Sequence, residues 1–159
     1  MAGFHYRMQN ILNIKLQLEE QKKMEFARAG AALYEEEQKL KKIVKRRNAY
    51  LREAEKLREK SLNVMQIRQN NTALDTLADE IKTQTKQVDI AREALEACRV
   101  QLQDAMQERK TQEKLYEHAK DDFIKEMNAK EGKEVDELTS YVYGQRGKMN
   151  KSNSEQSKQ

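Results

Sequence analysis

Apolar residues recur at alternating three- and four-residue steps from Leu74 to Phe123. The positions are Leu74, Leu77, Ile81, Gln84, Val88, Ala91, Leu95, Cys98, Leu102, Ala105, Arg109, Gln112, Tyr116, Ala119 and Phe123. Twelve of the fifteen are apolar, and the register holds for seven heptads. Between them stand mostly Glu, Asp, Lys, Arg, Gln and Thr. A 3.5-residue repeat keeps one narrow seam facing a partner helix, which makes this a coiled-coil strand in need of a second strand.

The first part of the chain carries the same signal. Phe4, Met8, Ile11 and Leu12 fall on one helix face, and Ile14, Leu16 and Leu18 broaden it. Between Leu18 and Phe26 the seam thins and predicts a stutter. Regular spacing resumes with Phe26, Ala29, Leu33, Glu36, Leu40, Ile43, Arg47, Tyr50, Ala54, Leu57, Ser61 and Val64. The polar run Gln69-Asn70-Asn71-Thr72 then marks a turn, with Thr72 and Asp75 as a capping box for the next helix. The reading is therefore all-α: a long antiparallel two-helix coiled coil, an α-hairpin in which the chain supplies both strands. Its domain spans residues 1–143, with helix one at about 4–69, the turn at about 70–72 and helix two at about 73–140. Each arm would be about 100 Å long. Folding at residue 71 would set Leu40 near Leu102, Arg47 near Leu95 and Phe26 near Tyr116. Gly132 loosens the last helix, Val135, Leu138, Tyr141 and Val142 form a final turn, and residues 144–159 read as a disordered basic tail.

Composition narrows the class. Among 159 residues there is no Pro or Trp, and 36% are charged against 37% hydrophobic. That is too apolar-poor for a thick core and too periodic for disorder, but sufficient for a stripe. The net charge of +4 favours an acidic partner surface. Cys98, the single cysteine, sits on the seam as a small hydrophobe, which fits a reducing cytosol. Near the start, Arg7, Asn10, Asn13 and Lys15 interrupt any signal-peptide core, and no run has the ~20 apolar residues of a membrane span.

Candidate chemistry is sparse. His5 would lie near Glu137, and His118 near Arg28 or Met24; neither grouping makes a metal site. Gly144-Gln145-Arg146-Gly147-Lys148 has no strand before it and no helix after it, so it is not a phosphate loop. The acids form a solvated face, without the shaped cleft that general acid–base catalysis requires. No catalytic residue, cofactor or metal ligand is expected. One run does stand out: Lys41, Lys42, Lys45 and Arg46, with Lys39 and Arg47 beside them, suit contact with an acidic protein surface. Aromatic interleaving for nucleic acid is missing apart from Tyr50.

The two ends carry a resemblance. Phe4-His5-Tyr6-Arg7-Met8-Gln9-Asn10-Ile11-Leu12-Asn13-Ile14-Lys15, followed by Glu19, Glu20, Lys22 and Lys23, resembles the opening of the flagellar export protein FliJ family. Glu36-Glu37-Gln38, Lys42-Ile43 and Asn48-Ala49-Tyr50 look like its first-helix segment. Ala105-Met106-Gln107-Glu108-Arg109-Lys110, Leu115-Tyr116 and Lys130-Glu131-Gly132-Lys133-Glu134-Val135-Asp136-Glu137 resemble its closing region, with Gly132 where Gln is usual. The likeness runs from residue 4 to about 140.

The resemblance implies an antiparallel coiled coil similar to the central stalk of rotary ATPases. Such a protein is a non-catalytic part of the type III apparatus for flagellar protein export, and so of motility and chemotaxis. It inserts in the hexameric export ATPase, promotes ring assembly, contacts the export gate FlhA and handles export chaperones. On that basis Phe4, Tyr6, Met8, Ile11, Leu12, Met127, Val135 and Leu138 would meet the ATPase ring. Ile43, Asn48, Tyr50, Leu77 and Ile81 would face the gate. The chain would be cytoplasmic, peripheral to the membrane apparatus at the flagellar base, a monomer when free, and without nucleic acid or membrane insertion. The competing readings are a coiled-coil RNA-binding arm, which predicts steeply salt-sensitive RNA binding, and a parallel coiled-coil dimer acting as spacer or general chaperone.

Overall fold

A computed structural model describes residues 3–60 and 63–156, with side chains to residue 152. Two helices account for nearly all of it. Helix α1 runs Gln9–Glu59 and α2 runs Val64–Gln156, 51 and 93 residues. The expected fold class holds: the helices pack against each other antiparallel, and no strand occurs among the described residues. The chain divides into two units. One comprises residues 13–109, the other residues 1–12 and 110–159.

In the unit of residues 13–109, α1 and α2 pair side by side. Every described position of the expected α1 seam from Phe26 to Leu57 is half-buried. On α2, Leu77 is 2% exposed, Val88 4% and Ala105 4%. No stutter separates Leu18 from Phe26. Lys15, Glu19, Lys22, Phe26, Ala29 and Leu33 keep the three–four step and are all at least half-buried. Polar side chains occupy the seam there, which is why an apolar count finds it thin.

The turn lies earlier than the polar run predicts. Helix α1 ends at Glu59 with Lys56 and Arg58 in its last turn, where cations suit the carbonyl end of the helix dipole. Asn63 caps α2: its Oδ1 accepts from the backbone N–H of Met65 at 3.1 Å and of Gln66 at 3.5 Å. Residues 69–72, expected as the turn, are helical. Thr72 caps nothing; its hydroxyl donates to the Arg68 carbonyl one turn back. With neither Pro nor Gly in the run, nothing prevents helix there. Asn70 is buried at 6%, and its amide donates to the Tyr50 carbonyl of α1 at 3.2 Å. The expected pairings shift accordingly. Gln84 meets Glu36, and a methyl at Gly30 would touch Leu95 at 3.9 Å, so Leu40–Leu102 and Arg47–Leu95 are not the partners. Phe26 lines a hollow with Leu95 and Arg99, while Tyr116 packs against Phe4 and Tyr6. Ser61, expected on the seam, lies outside the described residues, and Val64 is 65% exposed at the start of α2.

In the other unit, residues 3–6 are not helical, so Phe4 and Tyr6 precede the helix that the spacing assigns to them. They still reach α2. Phe4 meets the rings of Tyr116 and Phe123 at 5.5 Å each, and Tyr6 meets Tyr116 edge-on at 5.3 Å. Beyond Phe123 the helix continues. The stretch expected as disordered tail is helical through Gln156, with residues 157–159 outside the description. No proline breaks it, and Gln145 donates to the Tyr141 hydroxyl at 2.7 Å along one face. This extension is bare: Val135, Leu138, Tyr141, Val142, Tyr143 and Met149 are exposed.

Candidate interaction surfaces

The seam carries polar contacts that set its register. Glu19, 4% exposed, accepts from the Nε of Arg109, and Lys23 Nζ lies 3.4 Å from the same carboxylate. The Gln84 amide donates both to the Glu36 backbone carbonyl at 3.0 Å and to the Glu36 carboxylate. That bond, with another from Lys39, holds the Glu36 carboxyl below its ordinary pKa. Around these, Lys15–Glu108 at 2.6 Å and Arg92–Glu37 at 3.8 Å bridge the helices. Such exposed pairs are worth little singly. Gln84 and Arg109 interrupt an apolar repeat, which is the signal in the sequence for these contacts; Glu19 gives none.

The residues expected at the ATPase ring divide into two sets. Tyr6 and Leu12 are each 8% exposed and belong to the core of their unit, and Phe4 and Met8 are half-buried beside them. Ile11 is 41% exposed. Met127 is half-buried, whereas Val135 and Leu138 stand open on the bare part of α2 at 60% and 65%. The Tyr6 hydroxyl and Gln112 Oε1 are buried without a hydrogen-bond partner.

The residues expected at the gate lie on the parts of α1 and α2 towards the turn. Asn48 is exposed, while Ile43, Tyr50 and Ile81 are half-buried along the groove between helices. Leu77 is in the core and presents no surface. Two exposed apolar groups at the turn, Val64 and Met65, were not expected; only their place beside the break betrays them.

Lys41, Lys42, Lys45 and Arg46 are all exposed, and none makes an ion pair among the described residues. From Lys39 to Arg52 the chain has seven basic residues and no acid. By contrast the hollow at Phe26 and Leu95 is ringed by Asp89, Glu93, Glu96, Arg92 and Arg99, with Arg99 lowering the pKa of the Glu96 carboxyl. His5 and His118 are exposed, and the shifted pairing withdraws the groupings expected around them. Among the described residues no three metal-binding side chains come together, and no helix is long and apolar enough to cross a membrane.

These features define a helical coiled-coil protein whose distinguishing chemistry lies in its surfaces. The family model described as Flagellar FliJ protein matches residues 4–148, nearly the whole chain. The chain belongs to that family and is thereby a flagellar export-related protein. No curated protein and no solved structure matches it.

Proposed function

We propose that the chain is the non-catalytic central stalk of the flagellar type III export machinery. In this reading it inserts in the hexameric export ATPase, promotes assembly and hydrolysis, couples the ring to the gate FlhA and helps handle export chaperones. It works in the cytoplasm, at the membrane apparatus of the flagellar base. The observation that carries the reading is the family match over residues 4–148. The geometry supports it in kind. Two packed helices measure about 20 Å across, slim enough for the bore of a ring.

The ring contact falls to the aromatic end, Phe4, Tyr6, Met8, Ile11 and Leu12, with Met127, Val135 and Leu138. Ile11, Val135 and Leu138 are the exposed members and make the first touch. The gate contact falls to Ile43, Asn48, Tyr50 and Ile81, with Leu77 supporting them from the core. The unpaired cations Lys41, Lys42, Lys45 and Arg46 meet an acidic partner surface. Because exposed charges are screened, that contact weakens as salt rises.

The test adds the purified chain to the export ATPase of the same organism, follows ATP hydrolysis and images the rings by electron microscopy. Faster hydrolysis with new density in the ring centre supports the stalk. Unchanged hydrolysis and empty rings, with a fully helical chain, overturn it. Replacing Lys41, Lys42, Lys45 and Arg46 together by Ser should leave helicity intact and weaken partner binding. Unchanged affinity at low salt removes the run from the mechanism.

A further inference from the structure

The bare part of α2 carries a short heptad pattern with nothing packed against it among the described residues. Val135, Leu138, Val142, Gln145 and Met149 are spaced by three and four residues, a step that starts afresh at Val135 rather than in phase with Phe123. Val135 is 60% exposed, Leu138 65%, Val142 49% and Met149 69%. The extension from Asn128 to Gln156 would be about 45 Å long. A lone helix of that kind is marginal in water, because most helical stability comes from packing an apolar face. A narrow seam at this spacing is also the pattern of a helix that pairs with another helix rather than with a flat surface.

Charge along the extension identifies the other helix. Residues 131–137 hold Glu131, Glu134, Asp136 and Glu137 against Lys133 alone. Residues 146–151 hold Arg146, Lys148 and Lys151 and no acid. The segment is therefore acidic at one end and basic at the other, with the apolar seam running through both. Two copies laid side by side in parallel would oppose like charges at each end. Laid antiparallel, each acidic end meets the basic end of the other copy.

We propose that two copies of this chain associate through their α2 extensions as a short antiparallel coiled coil centred on Ser140. The heptad positions then close on themselves. Leu138 of one copy packs against Val142 of the other, and Val135 packs against Gln145. On the flank, Glu134 of one copy faces Lys148 of the other, and the two Tyr141 rings lie together at the axis. Each contact occurs twice, as an isologous two-fold interface requires. The hairpin needs no second chain, so the free monomer expected from the sequence is the dilute state and the dimer the concentrated one. Pairing covers Val135 and Leu138, which the proposed function gives to the ATPase ring, but the association stands independently of that assignment.

Sedimentation equilibrium of the full chain between about 1 and 500 µM tests the proposal, an affinity range appropriate to a short interface. The mass should rise from 18.7 kDa towards twice that value. The double variant Leu138→Glu with Val142→Glu should stay monomeric throughout. Glu134→Lys should weaken association at least fivefold, and adding Lys148→Glu should restore it to within twofold. Circular dichroism confirms that the hairpin of each variant is folded. In a Cys98→Ser background, Tyr141→Cys should crosslink under mild oxidation with diamide, whereas Glu134→Cys should not. A native chain still monomeric at 500 µM overturns the proposal. So does a dimer indifferent to the Leu138 and Val142 changes, or one crosslinked through Glu134→Cys and not Tyr141→Cys.

Discussion

Helix α2 lives in two environments. Between Val64 and Arg109 it lies against α1, and its seam side chains are covered: Leu77 is 2% exposed. Between Asn128 and Ser152 a short seam is open: Leu138 is 65% exposed. Both stretches are helical and space apolar residues by three and four, so the difference is not one of local propensity. In the first stretch apolar residues are consumed by folding. In the second they are left over, on a helix that folding does not need, and that is where binding has apolar area to use. The polar residues differ in the same sense. Those of the paired stretch reach across to α1, as Gln84 does to Glu36. Those of the bare stretch bond within their own helix, as Gln145 does to Tyr141.

The sharpest test of this contrast is truncation of one leucine in each environment. Leu77→Ala should cost about 2–5 kcal/mol in chemical denaturation, the range for a buried leucine, while Leu138→Ala at micromolar concentration should change stability by less than about 0.5 kcal/mol. Equal effects would erase the distinction. Next comes the buried pair. Arg109→Ala strands the Glu19 carboxylate and should cost roughly 1–3 kcal/mol, less than a fully buried pair would because Lys23 remains close. Replacing Glu19 and Arg109 together by Leu should return most of that loss, as read from the urea midpoint. Gly30→Ala should stabilise by up to about 1 kcal/mol, since alanine favours helix and the new methyl meets Leu95 at an ordinary 3.9 Å. A loss on thermal melting would mean that the two helices approach more closely there.

The smallest expected effect is one of pH. Glu36 is held below its ordinary 4.5 by the bonds from Gln84 and Lys39. A carboxyl with a lowered folded-state pKa binds protons more readily when unfolded. Its contribution is therefore complete above about 4.5 and is lost as pH falls through the lower folded value. Glu36→Gln should lower the melting temperature slightly at neutral pH, where that contribution is complete, change it little at low pH, and so flatten its fall below pH 4.5. An unaltered acid slope would detach Glu36 from acid unfolding.

Much of this arrangement is legible in the residues. All fifteen expected seam positions from Leu74 to Phe123 are buried or half-buried, and so are those from Phe26 to Leu57. The exposed run of Lys41, Lys42, Lys45 and Arg46 is where a basic face was expected. Asn70 misled because its two roles look alike in a sequence. An asparagine in a polar run reads as a turn, yet here it is a buried donor to the Tyr50 carbonyl. A lone Asn63 beside Ser61 and Leu62 is a weaker turn signal than two asparagines in a row. From Gly144 onward glycines and polar residues suggest a tail, though none of them forbids helix.

The residues alone establish that the chain is helical, which face of each helix is a seam, and the family that it resembles, while a parallel dimer stays open beside the hairpin. They do not determine where the chain turns. A heptad pattern matches itself after any shift of a whole repeat, so periodicity alone leaves the pairing of two such helices open. The tertiary structure decides it through groups that have one good partner: Asn70 on the Tyr50 carbonyl, Gln84 on Glu36, Arg109 on Glu19, and Asn63 capping α2. Burying a polar group without a hydrogen bond is costly, so few registers satisfy all of these at once. With the turn set there, α1 is spent before α2 is, and the remainder of α2 is left with its seam uncovered.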